Sequence, residues 1–404
     1  MRHFYILMIL LGLFSNKIFA QETTRSSNNY TPLPYYNFKK GIGITSPDSI
    51  FQLNMRFRMQ NRATYFHTDN QEDNIQAEVR RLRLRFDGYI ANPKFMYTIQ
   101  LSFAPGDTRG EISVGDNLHI IRDAVVFYKP NKNWVLSFGQ TKLPGNRQRV
   151  NSSGALQFTD RSINNASFNI DRDFGFQVHY LKDRKEDFSY NIKAAISTGE
   201  GRNETKNPDT GLGYTGKIEL FPLGSFAKDG SFFEGDLVRE QKPKLMLSGA
   251  YMYNDNANKT KGTTGSALYE SRDMSSLLLD AMFKYKGLAF MAAYMNRMSD
   301  NPVTINPNDP TKSQYVYAGE GMDYQLSYLF DNDYEILTRY SYINVDKDIF
   351  SLTPNRRQYS LGINKYIWEH AFKIQAEVTY DQSEYYNGNT KNGWYVRMQV
   401  EIGI

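Results

Sequence analysis

Residues 51–60 read Phe51-Gln52-Leu53-Asn54-Met55-Arg56-Phe57-Arg58-Met59-Gln60, apolar at every odd position and polar at every even one. Residues 81–87 repeat the alternation as Arg81-Leu82-Arg83-Leu84-Arg85-Phe86-Asp87. A period of two puts alternate side chains on opposite faces of a strand. Each segment is therefore a strand with one apolar and one wet face, and the wet face carries Arg56, Arg58, Arg81, Arg83 and Arg85. Apolar outside and cationic inside is the pattern expected of the wall of a water-filled barrel in a membrane.

The rest of the chain extends that pattern. Clear alternation runs through 95–103, 188–196, 322–330, 372–380 and 394–404. Less regular strand-like stretches occupy 120–128, 134–142, 173–181, 213–221, 244–253, 276–285, 288–296, 334–343 and 357–366. With the opening pair this predicts sixteen strands, most of them near the roughly 9–11 residues that cross a bilayer at a barrel's tilt. The connections alternate in length. Longer ones fall near 67–75, 105–119, 144–172, 198–212, 254–275, 297–318, 344–355 and 381–392. Shorter ones fall near 91–94, 130–133, 182–187, 286–287, 331–333 and 367–371, and Pro222 to Pro243 is a long connection where a short one is expected. The expected fold is all-β: a transmembrane antiparallel β-barrel of 16 strands with short periplasmic turns and long extracellular loops.

Energetics fix which face meets lipid. An Arg or Lys on the lipid face near the midplane costs about 2–4 kcal/mol. Arg81, Arg83 and Arg85 therefore point inward, and Leu82, Leu84 and Phe86 outward, if lipid is present. A soluble sandwich would place the same leucines in a core and the arginines in bulk water at no cost, so a secreted β-rich binding protein is an alternative.

Composition narrows the classes. The chain has 404 residues, 23% of them charged, with 29 Tyr, 26 Phe and no Cys. Beyond Phe14 no apolar stretch approaches the length of a membrane-spanning helix. Residues 1–20 read as a cleaved signal peptide: Arg2 and His3, an apolar run from Phe4 to Phe14, and Ile18-Phe19-Ala20 before the cut. Residues 21–40, polar and then rich in Pro and Tyr, read as a flexible periplasmic N-terminal segment, and 41–404 as the barrel. Removing Arg2 and Lys17 with the leader lowers the formal net charge from +5 to +3, so any anion preference must come from local arrangement.

That arrangement is uneven. The first two strands carry five inward cations against Asp87. Later strands carry Lys193, Lys217, Lys284, Arg339, Lys373 and Arg397 against Glu219, Asp280, Asp323, Glu335, Glu377 and Glu401. Residues two apart on one strand face lie about 6.5–7 Å apart, so the arginine ladder repels itself unless acids, anions or water screen it. Cationic rings favour anions in pores, and the arginine fork matches phosphate oxygens. The structural alternative is that the ladder pairs with acids from the loops.

Further motifs are Phe138-Gly139-Gln140-Thr141-Lys142-Leu143-Pro144, Asp160-Arg161-Ser162, Arg172-Asp173-Phe174-Gly175-Phe176-Gln177, Arg339-Tyr340 and Leu361-Gly362-Ile363-Asn364. In their order and spacing around sixteen strands, from about Gly41 to Ile404, they resemble the phosphate-selective porin O and P family. The resemblance implies a homotrimer in the outer membrane of a Gram-negative bacterium. It also implies a third long loop, here at about 144–172, folded inward with Arg147, Arg149 and Arg161 and with Lys142 at its root. The function then expected is a passive pore for small anions such as phosphate or pyrophosphate. A non-selective general diffusion porin and an outer-membrane barrel enzyme are alternatives.

Other signals carry less. Gly211-Leu212-Gly213-Tyr214-Thr215-Gly216 has the glycines of a dinucleotide site but leads into a strand-like run rather than a helix. The histidines show no metal-ligand spacing, no glycine-x-serine-x-glycine motif occurs, and no cofactor is expected. Asn254-Asp255-Asn256 and Asn306 to Pro310 read as turns that could take calcium. Inward arginines behind an export signal argue against nucleic acid as a partner.

Overall fold

In the computed structural model, which describes residues 41–108, 113–114, 117–204 and 210–404, polarity is inverted relative to a soluble protein. Ile192, Ile218, Leu247, Leu279, Leu326 and Leu361 are exposed, whereas Arg81, Lys217, Glu219, Asp280, Lys373 and Glu401 are buried. The signal peptide and the 21–40 segment expected from the sequence lie outside the described residues.

Sixteen strands form a closed antiparallel wall. They are β1 (Phe51–Thr68), β2 (Asn74–Ile90), β3 (Asn92–Ser102), β4 (Ile121–Tyr128), β5 (Trp134–Lys142), β6 (Arg172–Lys182), β7 (Ser189–Ser197) and β8 (Gly213–Phe221), followed by β9 (Lys244–Lys259), β10 (Ala267–Tyr285), β11 (Leu288–Met298), β12 (Gly319–Leu329), β13 (Tyr334–Val345), β14 (Asn355–Trp368), β15 (Phe372–Glu384) and β16 (Thr390–Gly403). Each strand pairs with its neighbours in sequence. Closure is made by β16 on β1, from Arg58↔Gly403 to Thr68↔Gly393. The start of β1 runs past the end of β16, and there Ile42–Thr45 pairs with it from Ile42↔Met55 to Thr45↔Gln52. That short strand covers what would be an open sheet edge. On the outer face at the short-turn rim, Phe95 stacks on Tyr128 at 5.0 Å and Trp134 meets Tyr180 at 5.0 Å, as in an aromatic girdle.

Three of the long connections are shorter than the sequence suggests. Strands run on to Thr68, Lys259 and Glu384 and resume at Asn74, Ala267 and Thr390. Alternation is required only where one face meets lipid. Above that level both faces are wet, and the ladder continues without the pattern. At the other rim the turns are tight, apart from the long connection Pro222–Pro243. Lys286 and Gly287, both at positive φ (47° and 87°), make a two-residue turn between β10 and β11.

One bulge matters for the lumen. Gln60 faces Arg81 but Asn61 faces Val79, so Arg80 is an extra residue in β2. The bulge turns Arg80 to the same side as Arg81, which strict alternation forbids.

Candidate functional site

The connection Leu143–Asp171 lies inside the barrel. Two short helices, Arg147–Val150 and Ile163–Phe168, punctuate it, and Ser162 caps the second by accepting from Asn165 N. Its apolar residues explain the inward position. Leu143, Ile163, Phe168 and Ile170 pack in a buried cluster with Met252, Leu278, Met295 and Ile343, which point inward from β9, β10, β11 and β13. The lumen wall is therefore not uniformly wet: on that side it carries an apolar seat for the loop. Polar bonds complete the docking. Asp323 accepts from Ser162 Oγ at 2.6 Å, and Glu377 accepts from Thr159 N at 2.9 Å.

The arginine ladder splits in two. Toward the short-turn rim, Arg56 and Arg85 share Asp87, with Arg85 Nε 3.0 Å from it, and their side chains are 34% and 42% exposed. Higher up the ladder is buried against loops. Arg58 donates to Ser152 Oγ at 2.9 Å and Ser153 Oγ at 2.7 Å. Arg81 donates to Gln60 Oε1 at 2.6 Å and Asp160 Oδ1 at 2.8 Å. Arg83 holds Asp107, its Nε 2.8 Å from Oδ2, and donates to Ser153 Oγ at 2.7 Å.

The loop's own cations are tethered too. Lys142 Nζ donates to the Val150 and Asn151 carbonyls at 2.6 and 3.0 Å, and Arg161 to those of Gln148 and Asn151 at 2.7 and 3.0 Å. Arg147 pairs with Glu219 deep in the wall, and Arg149 Nε donates to Asp171 at 2.8 Å. Lys193, which donates to Glu219 at 2.8 Å, and Lys373, which donates to the Gly154 and Leu156 carbonyls at 3.0 and 2.5 Å, belong to the same paired interior.

Four of the nine residues singled out from the sequence, Arg81, Arg83, Arg149 and Arg161, converge on one cavity of about 1040 Å³ at the long-loop end. Arg56, Arg58, Arg85, Lys142 and Arg147 do not line it. The remaining cations around it are Arg80, Arg122, Arg202, Arg356, Lys391 and Arg397, which makes ten against the carboxylates of Asp107, Asp160, Asp171 and Asp381. Sequence reading missed most of these additions. Arg80 is hidden by the bulge. Arg122 sits where Gln100 pairs with Asp123 but Leu101 with Ile121, a second register shift. Arg202 is placed by its neighbour: Asn203 N donates to Gln140 Oε1 at 2.7 Å.

The Phe138–Pro144 and Arg172–Gln177 motifs serve this placement. Gly139 has φ 124°, and a Cβ there would sit 2.3 Å from the Ala124 carbonyl oxygen. Arg172 grips both oxygens of Asp123 at 3.0 Å, and Asp173 accepts from Gly199 N at 2.7 Å and Gly201 N at 3.0 Å.

Asp160 is the hub. It binds Arg62, Arg80 (Nη2 at 2.9 Å) and Arg81 (Nη2 at 2.8 Å). Burial pushes its carboxyl up, but Arg81, Arg80 and Arg62 outweigh that and hold it well below the usual carboxylate range. With the folded value depressed, the cluster's contribution to stability is complete above the unfolded value of 3.8 and is lost only as pH falls through the folded value. Asp160→Asn should raise the cation excess and weaken docking of the loop by about 1.5–3 kcal/mol. In planar bilayers under a salt gradient its reversal potential should move toward the anion limit. A shift the other way would contradict the assigned role.

Comparisons with known proteins agree with this architecture. The outer membrane channel DcaP of Acinetobacter baumannii is 14% identical with a TM-score of 0.55, over 90% of this chain and 99% of that one. Salmonella typhi OmpF, solved with daunomycin, gives 13% and 0.53, over 89% and 100%. An anion-selective porin from Comamonas acidovorans gives 11% and 0.52, over 87% and 100%. At these identities the likeness establishes the fold. No curated protein matches the chain. The model of the phosphate-selective porin O and P family matches residues 51–402. With the sixteen-stranded wall and its loop-filled lumen, that match makes the chain a member of the phosphate-selective porin O and P family and an outer-membrane porin.

Proposed function

We propose that the pore is selective for small anions, with phosphate or pyrophosphate as preferred solutes. The observation that carries this reading is the lining of the upper cavity, where ten cationic side chains face four carboxylates. Anions gather there electrostatically and pass down the wall toward Arg56 and Arg85, the most open members of the ladder. Arginine is suited to phosphate because its planar fork meets two oxygens at once. No bond is made or broken in the solute. In the same reading the chain is exported by its cleaved leader and assembles as a homotrimer in a Gram-negative outer membrane.

The phosphate claim is tested by titrating inorganic phosphate into a chloride-bathed bilayer holding single channels. Phosphate should reduce the chloride current at concentrations well below that of chloride. Additive currents with no block would leave a general anion pore and remove the phosphate preference.

A further inference from the structure

Between β8 and β9, at the periplasmic rim, twenty-two residues from Pro222 to Pro243 stand where other turns are short. They fold up into the lumen. Phe226 packs in a buried cluster with Phe221, Met246 and Met282 from the wall. Lys284, fully buried on β10, donates to the carbonyls of Gly230 at 2.7 Å and Phe233 at 2.8 Å and lies 4.3 Å from the Phe233 ring centre. Asp236 accepts from Gly287 N at 2.8 Å, which pins the far end to the β10–β11 turn.

The top of this segment meets the third loop. Glu234, 1% exposed, accepts from Gln148 Nε2 at 3.1 Å, from Gln157 N at 2.8 Å and from Gln325 Nε2 at 3.2 Å. Its own N–H donates to the Ala155 carbonyl at 3.1 Å. One carboxylate thus joins two separated points of the loop to β12. Gln148 in turn accepts Arg161 through its carbonyl and lies between Arg147 and Arg149.

We infer that Pro222–Pro243 is a periplasmic strut that holds the third loop from below, with Glu234 as the positioning residue for the loop arginines of the upper cavity. Without it the loop sinks, the lumen under β9–β14 opens to water, and the arginines disperse. The consequence for selectivity rests on the anion-pore reading; the strut itself does not. The wall's own hydrogen bonds do not pass through the segment, and lumen residues that it uncovers meet water. Removal therefore leaves a foldable barrel.

The chain has no cysteine, so one added thiol reports on access. Ser327, 3% exposed on β12, lies beneath the loop and accepts from Gln157 Nε2 at 2.6 Å. Ser327→Cys is combined in turn with Glu234→Ala, with Glu234→Gln, and with replacement of Pro222–Pro243 by Asn-Gly, which keeps Lys244 and Leu245 paired with β10 and leaves the Leu220↔Leu247 register in place. Heat-modifiable migration selects folded barrels. A membrane-impermeant maleimide should label the Ala variant at least about tenfold faster than the parent and the strutless barrel faster still. The Gln variant keeps only one of the two acceptor oxygens and turns an amide NH2 toward a donor on the other side, so its labelling should fall between the parent and the Ala variant. Single-channel conductance of the strutless barrel should rise by about twofold or more, with reduced anion preference. Parent-like labelling and conductance in folded Glu234→Ala and strutless barrels would overturn the strut. A parent that is itself not anion-selective would overturn the proposed function and leave the labelling result to decide the strut.

Discussion

Replacing Arg81, Arg83 and Arg85 together with glutamine should drive the reversal potential strongly toward the cation limit. In water a unit charge about 7 Å from an ion changes its energy by about 0.6 kcal/mol, close to RT. The effect has opposite signs for anions and cations, so losing three charges changes the permeability ratio by about two to three orders of magnitude before salt screening. The structure adds a second contribution. These arginines hold Asp160, Asp107 and Asp87, and each acid loses one of its counter-charges in the variant. Remaining partners, Arg62 and Arg80 on Asp160, Arg122 on Asp107 and Arg56 on Asp87, keep the acids partly neutral. The shift should therefore be large without a complete reversal, and it should shrink as salt rises. An unchanged reversal potential at low salt would remove the ladder from the account of selectivity.

Phe168→Ala should give the second large effect, on conductance rather than charge. Phe168 is fully buried in the apolar seat of the third loop, with Tyr317 5.6 Å away and the Arg297 guanidinium 5.8 Å from its ring. Truncating a buried Phe costs about 3–5 kcal/mol. That energy belongs to the docking of the loop, because the strand ladders do not depend on this side chain. The expected outcome is a higher and noisier open-channel current in a barrel whose heat-modifiable migration is unchanged. A quiet channel of parental conductance would show that the loop is held without its apolar anchor.

The strands were legible because lipid leaves no choice: one face must be apolar, and the alternation at 51–60 and 81–87 follows from that. Sixteen segments and their order were readable for the same reason. Three of the nine less regular stretches, 244–253, 276–285 and 288–296, carry buried apolar residues on the inward face as well. Met252, Leu278 and Met295 there seat the third loop. Periodicity cannot separate such a strand from any buried apolar run. The cation cluster was half legible. Arg81 and Arg83 followed from phase, but Arg80 and Arg122 depend on bulges, which shift phase without a marker in the sequence. The partners of Glu234 lie at Gln148, Gln157 and Gln325, positions that only the closed barrel brings together.

On the proposed function, the cationic upper cavity makes this pore prefer anions. The zero-current potential of the unmodified protein, in a planar bilayer separating two potassium chloride concentrations, tests this preference. A potential close to the chloride equilibrium value at low salt, decaying as salt is raised, is the predicted result. A potential on the potassium side would contradict the account.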